Sequence, residues 1–474
     1  MKRALSLALL LFLAVACASA KQNDAERIDR FVRQAMTQFP EVPSLGVAIV
    51  KDGKTLFARG YGYRDKERKV AADADTVYYI ASSTKSYVGL LAAKLASRGV
   101  IDLDAPIAKY LPETKLANSV TLRALLTHTS GIENDALVMR TAFTGDHGDL
   151  VSLLGHSKTI EAKFSYDNLG YVAVGLAMER VTGKTWQDLL ATEIFQPLGM
   201  TRTTAYMSRT KSWPVAKPYD VNGALNFVKT DDTMHAAGGL VTTPRDLARW
   251  LEANINRKGI PAAAFAEAQK QQVAIPVSNW YRFKRTGYAL GWYHADYEGT
   301  PMMHHFGGYE GWRAHVSFLP QQKHGVAIAT NTSSPGAQLR DLIAAYAYDV
   351  LLGKPDVDAA YEAHLAKLRN ETNEQLAKYR ADVEKRKSRA PSLTRNANAY
   401  AGRYANDLYG TIEITPAMRA SLGQLAAPME PFTEADTARV ELIPGSGEVL
   451  RFQFGSGDRA ESIQYRDEVF RRVP

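Results

Sequence analysis

Apolar runs near the N-terminus predict a pair of strands. Residues 45–51 and 55–61 form two such runs, and Asp52-Gly53 lies between them. An Asp-Gly pair in this position is a strong hairpin signal, because both residues tolerate the positive φ angles of a tight turn. A helical pattern over residues 24–39 precedes the hairpin, so we expect a helix followed by two antiparallel strands.

The next part of the sequence has apolar residues at the spacing of a helix. Apolar residues recur every three or four positions from Val88 to Leu95, and Gly99 follows them, which predicts a helix that begins at Ser82. Residues 100–300 are predicted to be mostly helices and loops. The individual elements are predicted as helices at 122–126, 169–181, 186–194, 245–256 and 337–352, and as strands at 314–319 and 326–330. Strands near both ends with helices between them predict an α+β domain, in which one sheet is assembled from the two ends and a helical region is inserted.

The C-terminal third has a different pattern. Residues 354–391 are highly charged, with apolar positions three or four apart, which predicts a charged connecting helix. Beyond Pro391 come short apolar runs separated by turns that contain Gly and Pro, so a small β-rich accessory domain is expected over 392–474. This leaves residues 21–353 for the α+β domain.

Composition excludes several classes of protein. The chain has 474 residues, of which 46% are hydrophobic, and a net charge of +8. No basic block is longer than residues 385–387, so we expect no nucleic-acid partner. The single cysteine, Cys17, excludes a disulfide framework, a Cys-x-x-Cys zinc site and a catalytic thiol in the folded body. The absence of His-Glu-x-x-His and of paired histidines with one residue between them argues against a metal site, and we expect no cofactor.

The N-terminus has the order of a secretory signal peptide. Lys2-Arg3 precedes an apolar run over residues 4–16, and small residues follow at 18–20. We expect residues 1–20 to be removed and the protein to be periplasmic or secreted. The alternative is a lipoprotein anchored at Cys17, and only in that case do we expect contact with a membrane.

Three motifs carry residues that could do chemistry. Ser82-Ser83-Thr84-Lys85 places a lysine three positions after a serine at a predicted helix start, so that the amine can reach the hydroxyl. Tyr166-Asp167-Asn168 precedes the helix predicted at residue 169, and a tyrosine near two cationic groups can have its pKa lowered enough to act as a base. His304-His305-Phe306-Gly307-Gly308 precedes a strand, where glycines permit close approach to a ligand.

The order of these motifs resembles the serine β-lactamase and penicillin-binding-protein superfamily, in its branch of class C β-lactamases, DD-peptidases and related esterases and D-aminopeptidases. Accessory phrases at residues 125–131, 197–201 and 238–247 are similar to stretches of the same family. The resemblance covers residues 30–352 and implies a sheet with helices on both faces. It also implies an acyl-enzyme mechanism, with Ser82 as the nucleophile, Lys85 and Tyr166 as the proton-transfer pair, and Asn168 as an anchor for substrate and lysine.

The third motif completes the site that the resemblance implies. His305 would occupy the place that a lysine often fills, beside Tyr166. The backbone N–H groups of Ser82 and Gly308 would form the oxyanion hole, and Gly307 would keep the strand flat against the substrate. Phe306, Tyr309 and Trp312 are expected to form the pocket walls, with structural packing as an equal alternative for Trp312. His128 and His235 are expected to fix loops rather than to act in catalysis.

One departure from the family pattern bears on the substrate. Peptidase-like relatives carry hydroxyl side chains in the third motif that bind a terminal carboxylate, whereas this chain has Phe306 and Gly308 there. A substrate carboxylate that lacks its hydrogen-bond partner loses about 1.5–3 kcal/mol of binding free energy. We therefore expect penicillins, cephalosporins and D-Ala-D-Ala peptides to be poor substrates unless Arg282, Arg285 or Arg313 replaces the contact. Esters or amides with a neutral or apolar acyl side fit better.

These observations leave alternatives open. The predicted function is an exported serine hydrolase that acts on ester or amide bonds of a small-molecule or peptide-like substrate. One alternative is a D-alanyl-D-alanine carboxypeptidase or a class C-like β-lactamase. A second, of another class, is a non-catalytic penicillin-binding sensor or peptidoglycan-binding protein. The presence of all four of Ser82, Lys85, Tyr166 and Asn168 favours an enzyme, because a pure binding protein needs no such set.

Overall fold

The computed structural model describes residues 24–145, 148–225 and 229–474. The predicted signal peptide, residues 1–20 with Cys17, lies outside the described residues. Within the described parts of the chain, no helix is long and apolar enough to cross a membrane. The same residues contain no group of three or more His, Cys, Asp or Glu side chains that could hold a metal ion.

A nine-stranded antiparallel sheet organises the larger domain. Its strands, in spatial order, are Val273–Trp280, Phe283–Tyr288, Tyr293–Tyr297, Thr300–Tyr309, Trp312–Leu319, His324–Thr330, Ser44–Lys51, Lys54–Asp65 and Val70–Ala71. The predicted hairpin is present, and its first strand pairs with His324–Thr330. The two ends of the domain therefore meet in the middle of the sheet, which confirms the predicted α+β architecture.

Helices cover both faces of this sheet. On one face, Asp24–Gln38 and Gly336–Leu351 bury apolar residues against the strands. On the other face lie the helices Pro244–Asn256 and Thr84–Ser97. We call Thr84–Ser97 the nucleophile helix, because it follows the predicted nucleophile Ser82. The nucleophile helix is buried on nearly every side, which is why its sequence is apolar all round and shows little amphipathic contrast. The inserted helical region consists mainly of Leu122–Leu126, Asp135–Met139, Leu150–Gly155, Leu169–Thr182, Trp186–Leu190 and Ala262–Gln269.

The prediction that residues 100–300 hold mostly helices and loops is wrong for their last part. Three consecutive strands, from Val273 to Tyr297, extend the sheet at one edge. The outermost, Val273–Trp280, is exposed at most positions and contains Pro276. An edge strand of this kind carries no continuous apolar run, so its sequence gives little sign of a strand.

The charged stretch forms one helix of 31 residues, Val357–Lys387. Ion pairs hold it against the first helix and the loop that follows: Arg27 pairs with Asp358 at 3.0 Å, and Arg369 with Glu41 at 2.8 Å. The helix therefore lies along the α+β domain.

The C-terminal domain is a closed antiparallel barrel of eight strands. They are Gly402–Asn406, Gly410–Ile414, Arg419–Leu422, Leu425–Pro431, Thr437–Val440, Glu448–Phe454, Ala460–Tyr465 and Glu468–Val473. The first strand pairs with the last, so the barrel has no free edge. The small β-domain predicted from the sequence is confirmed, and its closure is a feature that the short apolar runs did not indicate.

Candidate active site

Ser82 lies on a strained turn. It is the middle residue of a single 3₁₀ turn, Ala81–Ser83, which leads directly into the nucleophile helix. Ala81 has a φ of 43°, in the left-handed region, where a residue with a Cβ is destabilised by about 1–2 kcal/mol. The residue before it is anchored, because the backbone N–H of Ile80 donates to the carbonyl oxygen of Leu240 at 3.1 Å. The surrounding structure thus holds the serine in place against local strain.

The amine of Lys85 lies in the interior with three oxygen atoms around it. The Nζ atom is 2.6 Å from Oδ1 of Asn168, 2.9 Å from the carbonyl oxygen of Ala237 and 3.3 Å from Oγ of Ser82. Burial lowers the pKa of Lys85 to about 7, although the negative charge of Asp167 opposes this shift. A neutral amine can donate one hydrogen to each of the two carbonyl oxygens and direct its lone pair at Ser82. Lys85 is therefore positioned to accept the serine proton.

The pKa of Tyr166 is shifted in the direction opposite to our prediction. Burial of the hydroxyl is the largest cause and raises the pKa well above its usual range, while contact with Ser82 and the charge of Arg285 oppose the shift only in part. The residue as a whole is 39% exposed, and it lines the cavity described below. The prediction required two neighbouring cations. Lys85, with its pKa lowered to about 7, carries only part of a positive charge near neutral pH. Tyr166 is thus a neutral hydroxyl next to Ser82, suited to donate or relay a proton.

His128 supports the loop that carries Tyr166. Its ring centroid lies 4.5 Å from that of Tyr166, and its Nδ1 accepts from the backbone N–H of Asp167 at 3.3 Å. Its carbonyl oxygen accepts from the N–H of Ser165 at 2.9 Å. His235 begins the short helix that brings the Ala237 carbonyl to Lys85. His128 thus has the contacts of a loop-fixing residue, as the sequence suggested, and the same role for His235 stays a prediction.

The strand Thr300–Tyr309 passes immediately beside the turn Ala81–Ser83 that carries Ser82. Gly307 makes this possible: a Cβ atom there would lie 1.9 Å from the carbonyl oxygen of Ile80. The Ser83 hydroxyl donates to the carbonyl oxygen of His305 at 3.2 Å and fixes the strand to the turn. Gly308 is exposed to the cavity. Ser82 and Gly308 therefore face the same space, as an oxyanion hole built from their N–H groups requires.

His305 is buried and neutral. Its Nδ1 lies 2.8 Å from the carbonyl oxygen of Phe306, and its Nε2 lies 3.2 Å from the Tyr288 hydroxyl. Burial is the main cause that lowers its pKa well below the usual range, and the nearby charges of Lys85 and Arg285 add to the shift. His305 can relay or accept hydrogen bonds, but it does not supply the positive charge that a lysine would bring to this place.

These elements surround one cavity of about 620 Å³. Eight of the predicted site residues line it: Ser82, Tyr166, Asn168, His305, Phe306, Gly307, Gly308 and Tyr309. Trp312 does not. The prediction that it forms a wall is wrong, because its ring packs edge-on against Tyr78 and Tyr79, in the apolar cluster behind the cavity wall. The structure adds further lining residues, among them Phe143, Met234, Trp280, Arg285, Tyr293 and Arg340.

The three arginines considered for substrate binding have different surroundings. Arg282 is outside the cavity and pairs with Asp349 at 2.6 Å. Arg313 lines the cavity, but its Nη1 donates to backbone carbonyl oxygens of Tyr309 and Trp312. Of these three arginines, Arg285 is the one that lines the cavity with its guanidinium bonded neither to a carboxylate nor to a backbone carbonyl in the described part of the chain.

Aromatic rings hold the Arg285 guanidinium in place. Its central carbon lies 4.0 Å from the ring centroid of Tyr293 and 5.2 Å from that of Phe306. Its Nε donates to Nε2 of His304 at 3.4 Å. Burial lowers the pKa of Arg285, which is the expected result for a cation held away from water without a paired anion. An anionic group of a substrate would complete this part of the site.

The pKa of Lys85 predicts the pH dependence of the reaction. Only the neutral amine can accept the Ser82 proton, so kcat/KM is expected to fall about tenfold per pH unit below a pKa of about 7 and to level off above it. The measurement is kcat/KM for a neutral ester from pH 5 to 9. A rate that stays constant between pH 5 and 7 would contradict Lys85 as the base.

The site and the fold together are typical of a class of serine hydrolases in which a buried lysine lies beside the reactive serine. The Beta-lactamase family model matches residues 32–349 of the chain. The chain belongs to this family, in the serine β-lactamase and penicillin-binding-protein superfamily that the motifs suggested. Membership supports a function of the serine hydrolase type.

Two curated relatives are similar to this domain. Protein flp of Staphylococcus aureus strain N315 is 28% identical over 330 residues, which are 66% of this chain and 64% of that protein. The chain therefore spans less than two thirds of the length of this relative. Penicillin-binding protein 4 of Amycolatopsis lactamdurans is 27% identical over 317 residues, 61% of this chain and 81% of that protein.

Among solved structures, the octameric penicillin-binding protein homologue from Pyrococcus abyssi is similar over nearly the whole chain. The TM-score is 0.62 at 23% identity, and the match covers 94% of this chain and all of the other. The likeness supports the fold, including a match that extends into the C-terminal part.

Proposed function

We propose that this protein is a serine hydrolase that cleaves ester or amide bonds, peptide-like ones included, through an acyl-enzyme on Ser82. The observation that carries the proposal is the environment of the Lys85 amine, whose two carbonyl partners leave its lone pair for Ser82. A general base must be neutral at the working pH, and the buried position of Lys85 beside Ser82 meets this requirement.

Acylation follows from the positions of three side chains. The Lys85 amine takes the proton of Ser82 as Oγ attacks the carbonyl carbon of the substrate, and the carbonyl oxygen becomes an oxyanion. The N–H groups of Ser82 and Gly308 would stabilise this charge, and one such donor is worth roughly 3–4 kcal/mol in serine hydrolases. Collapse of the intermediate breaks the bond to the leaving group, which receives a proton from the Tyr166 hydroxyl; Lys85 then returns its proton to Tyr166.

Hydrolysis of the acyl-enzyme reverses these roles. Water gives up a proton to the Lys85 amine, directly or through Tyr166, and attacks the Ser82 ester. Collapse returns the proton to Oγ and releases the acid. Asn168 holds the Lys85 amine in position for both steps, because its Oδ1 accepts a hydrogen bond from Nζ at 2.6 Å.

Arg285 favours a second candidate within the same chemistry, in which the substrate carries a carboxylate. This is the group that D-Ala-D-Ala peptides and β-lactams present. The guanidinium of Arg285 lies against the rings of Tyr293 and Phe306 and contacts no carboxylate of the described residues. It could therefore bind a substrate carboxylate, although Phe306 cannot donate a hydrogen bond to one. Under this alternative the protein is a carboxypeptidase or a β-lactamase of the class C type.

The substitution Arg285→Ala separates the two candidates. If the substrate is anionic, kcat/KM for carboxylate-bearing substrates is expected to fall about 10- to 100-fold, the range of a charged hydrogen bond, while neutral esters change little. The matched control is Lys284→Ala, which removes a charge from the neighbouring, exposed position of the same strand. Equal losses for charged and neutral substrates would rule out Arg285 as an anion anchor.

Active-site labelling tests the proposed function itself. The intact mass is measured after incubation with a fluorophosphonate and with a fluorescent penicillin, together with a panel of short-chain esters, D-amino-acid amides, D-Ala-D-Ala peptides and nitrocefin. One adduct on Ser82 and turnover of an ester or amide are expected. A stable adduct without any turnover would support the sensor alternative, and absence of an adduct would contradict the nucleophile.

We further propose that the protein is exported, since residues 1–20 have the order of a signal peptide. The mass of the mature protein recovered from its cells tests this. A chain that begins at Lys21 fits cleavage after Ala20, and a lipid-modified Cys17 fits the membrane-anchored alternative.

A further inference from the structure

The barrel contacts the α+β domain at a wall of the active-site cavity. That wall is a single π-helical turn, Arg140–Thr144, which we call the Phe143 turn. Ala142 and Phe143 line the cavity, and the ring of Phe143 stacks on that of Tyr309 with centroids 5.6 Å apart. The position of this turn therefore decides where one aromatic surface of the cavity lies.

Three residues of the barrel contact the Phe143 turn. At its start, Nη1 of Arg140 donates to the carbonyl oxygen of Leu408 at 3.3 Å, and at its end lie Gly423 and Gln424. Gly423 and Gln424 connect the strands Arg419–Leu422 and Leu425–Pro431. The backbone N–H of Gln424 donates to the carbonyl oxygen of Thr144 at 2.8 Å, and its Nε2 donates to that of Phe143 at 3.0 Å. The last carbonyl groups of a helical turn lack partners within it. The barrel supplies partners for two of them.

Gly423 fits this contact in two independent ways. Its φ of 58° lies in the left-handed region, and a Cβ atom would lie 2.1 Å from the carbonyl oxygen of Thr144. This distance is far below any real contact of a Cβ with backbone. The two domains approach so closely here that a residue with a side chain cannot occupy the position without moving the Phe143 turn or the barrel.

We propose that the Gly423-Gln424 turn is a positioning element for substrate binding. It fixes the Phe143 turn from outside and thereby sets the shape of the cavity around the Phe143 ring. The barrel then contributes to the selection of substrates although none of its residues lines the cavity. This inference rests on the proposed function of the cavity, and it assigns the accessory domain a role in specificity.

The chain offers a matched pair of variants. Gly423→Ala introduces both backbone strain and the clash with Thr144. Gly445→Ala introduces strain alone, because Gly445 is a barrel glycine with a φ of 76° and no atom within 4 Å of the added Cβ. Gln424→Glu is isosteric and removes the side-chain donor to Phe143, without the strain of a new Cβ.

The experiment compares a small and a bulky acyl group. For p-nitrophenyl phenylacetate, Gly423→Ala is expected to raise KM about five- to tenfold and Gln424→Glu about threefold. The kcat for p-nitrophenyl acetate should stay within twofold, and Gly445→Ala should leave both values unchanged. Equal behaviour of Gly423→Ala and Gly445→Ala, or an equal loss on both esters, would overturn the proposal.

A second measurement does not depend on turnover. If the barrel holds the Phe143 turn, trypsin should cleave after Arg140 several-fold faster in Gly423→Ala than in Gly445→Ala, at equal thermal stability. Cleavage rates that match would overturn the positioning role. If the wild-type protein neither labels on Ser82 nor hydrolyses any ester, the proposed function fails, and the cleavage rates still decide whether the contact exists.

Discussion

Substitution of Ser82 by alanine is expected to reduce kcat/KM for a p-nitrophenyl ester by at least about 10⁴-fold. The nucleophile, its base and the proton donor act as a unit, so removal of the serine removes covalent catalysis entirely and leaves only the oxyanion hole and binding. Fluorophosphonate labelling, followed by intact mass, should vanish in parallel. The measurement is initial velocity corrected for the uncatalysed rate.

The matched control for this variant is Ser86→Ala. Ser86 is buried one turn further along, and its hydroxyl donates to the carbonyl oxygen of Ser83 at 2.8 Å, so the change removes a buried hydroxyl from the same helix without touching the site. We expect activity within about threefold of wild type. If Ser82→Ala kept more than about 1% of the wild-type rate, another residue would have to be the nucleophile.

The second large effect is expected from Lys85→Met. Methionine is unbranched and flexible enough to fill the space of the lysine side chain, but it cannot accept a proton. Loss of a general base costs roughly 10²- to 10⁴-fold in rate. We expect a fall of about 10³-fold in kcat/KM, and we expect the residual rate to lose its decline below pH 7.

Lys229→Met is the control for the burial of a lysine. Lys229 is 6% exposed, burial lowers its pKa to about 7 as for Lys85, and its Nζ donates to the carbonyl oxygen of Thr230 at 2.7 Å. It lies outside the Ser82 cavity. The two variants therefore remove equivalent buried amines, and only Lys85→Met should lose activity. Comparable losses in both would indicate a defect of folding.

Local patterns in the sequence were sufficient for much of the fold. The hairpin around Asp52-Gly53 and the helix after Ser82 have strong local signals, namely a turn pair and a helical period. The strand Val273–Trp280 has neither, since it is an exposed edge strand whose existence depends on pairing with Phe283–Tyr288. Closure of the barrel likewise depends on contacts between its two ends.

The candidate site divides in the same way. Ser82 and Lys85 could be identified from the sequence because they are three positions apart, and residues at this spacing lie on the same face of a helix. Arg285 reaches the cavity only through sheet pairing, opposite Ala295, so the sequence could name it only as one of three arginines. The pKa of Tyr166 was predicted in the wrong direction because the burial of its hydroxyl, which is the main cause of the rise, is a property of packing. Trp312 was misplaced for a similar reason: an aromatic residue near a motif can face either side of a strand.

Because the two ends of the α+β domain meet in the central sheet, the site requires strands from both ends. Ser82 rests on a turn pressed against Gly307, and the strand of Gly307 is joined to Ser44–Lys51 only through Trp312–Leu319 and His324–Thr330. A nascent chain that ends before residue 330 therefore lacks the pairing that closes the sheet. Covalent labelling of Ser82 thus reports on completion of the whole α+β domain, and a mutation far from the cavity that slows this closure would delay labelling without changing the chemistry.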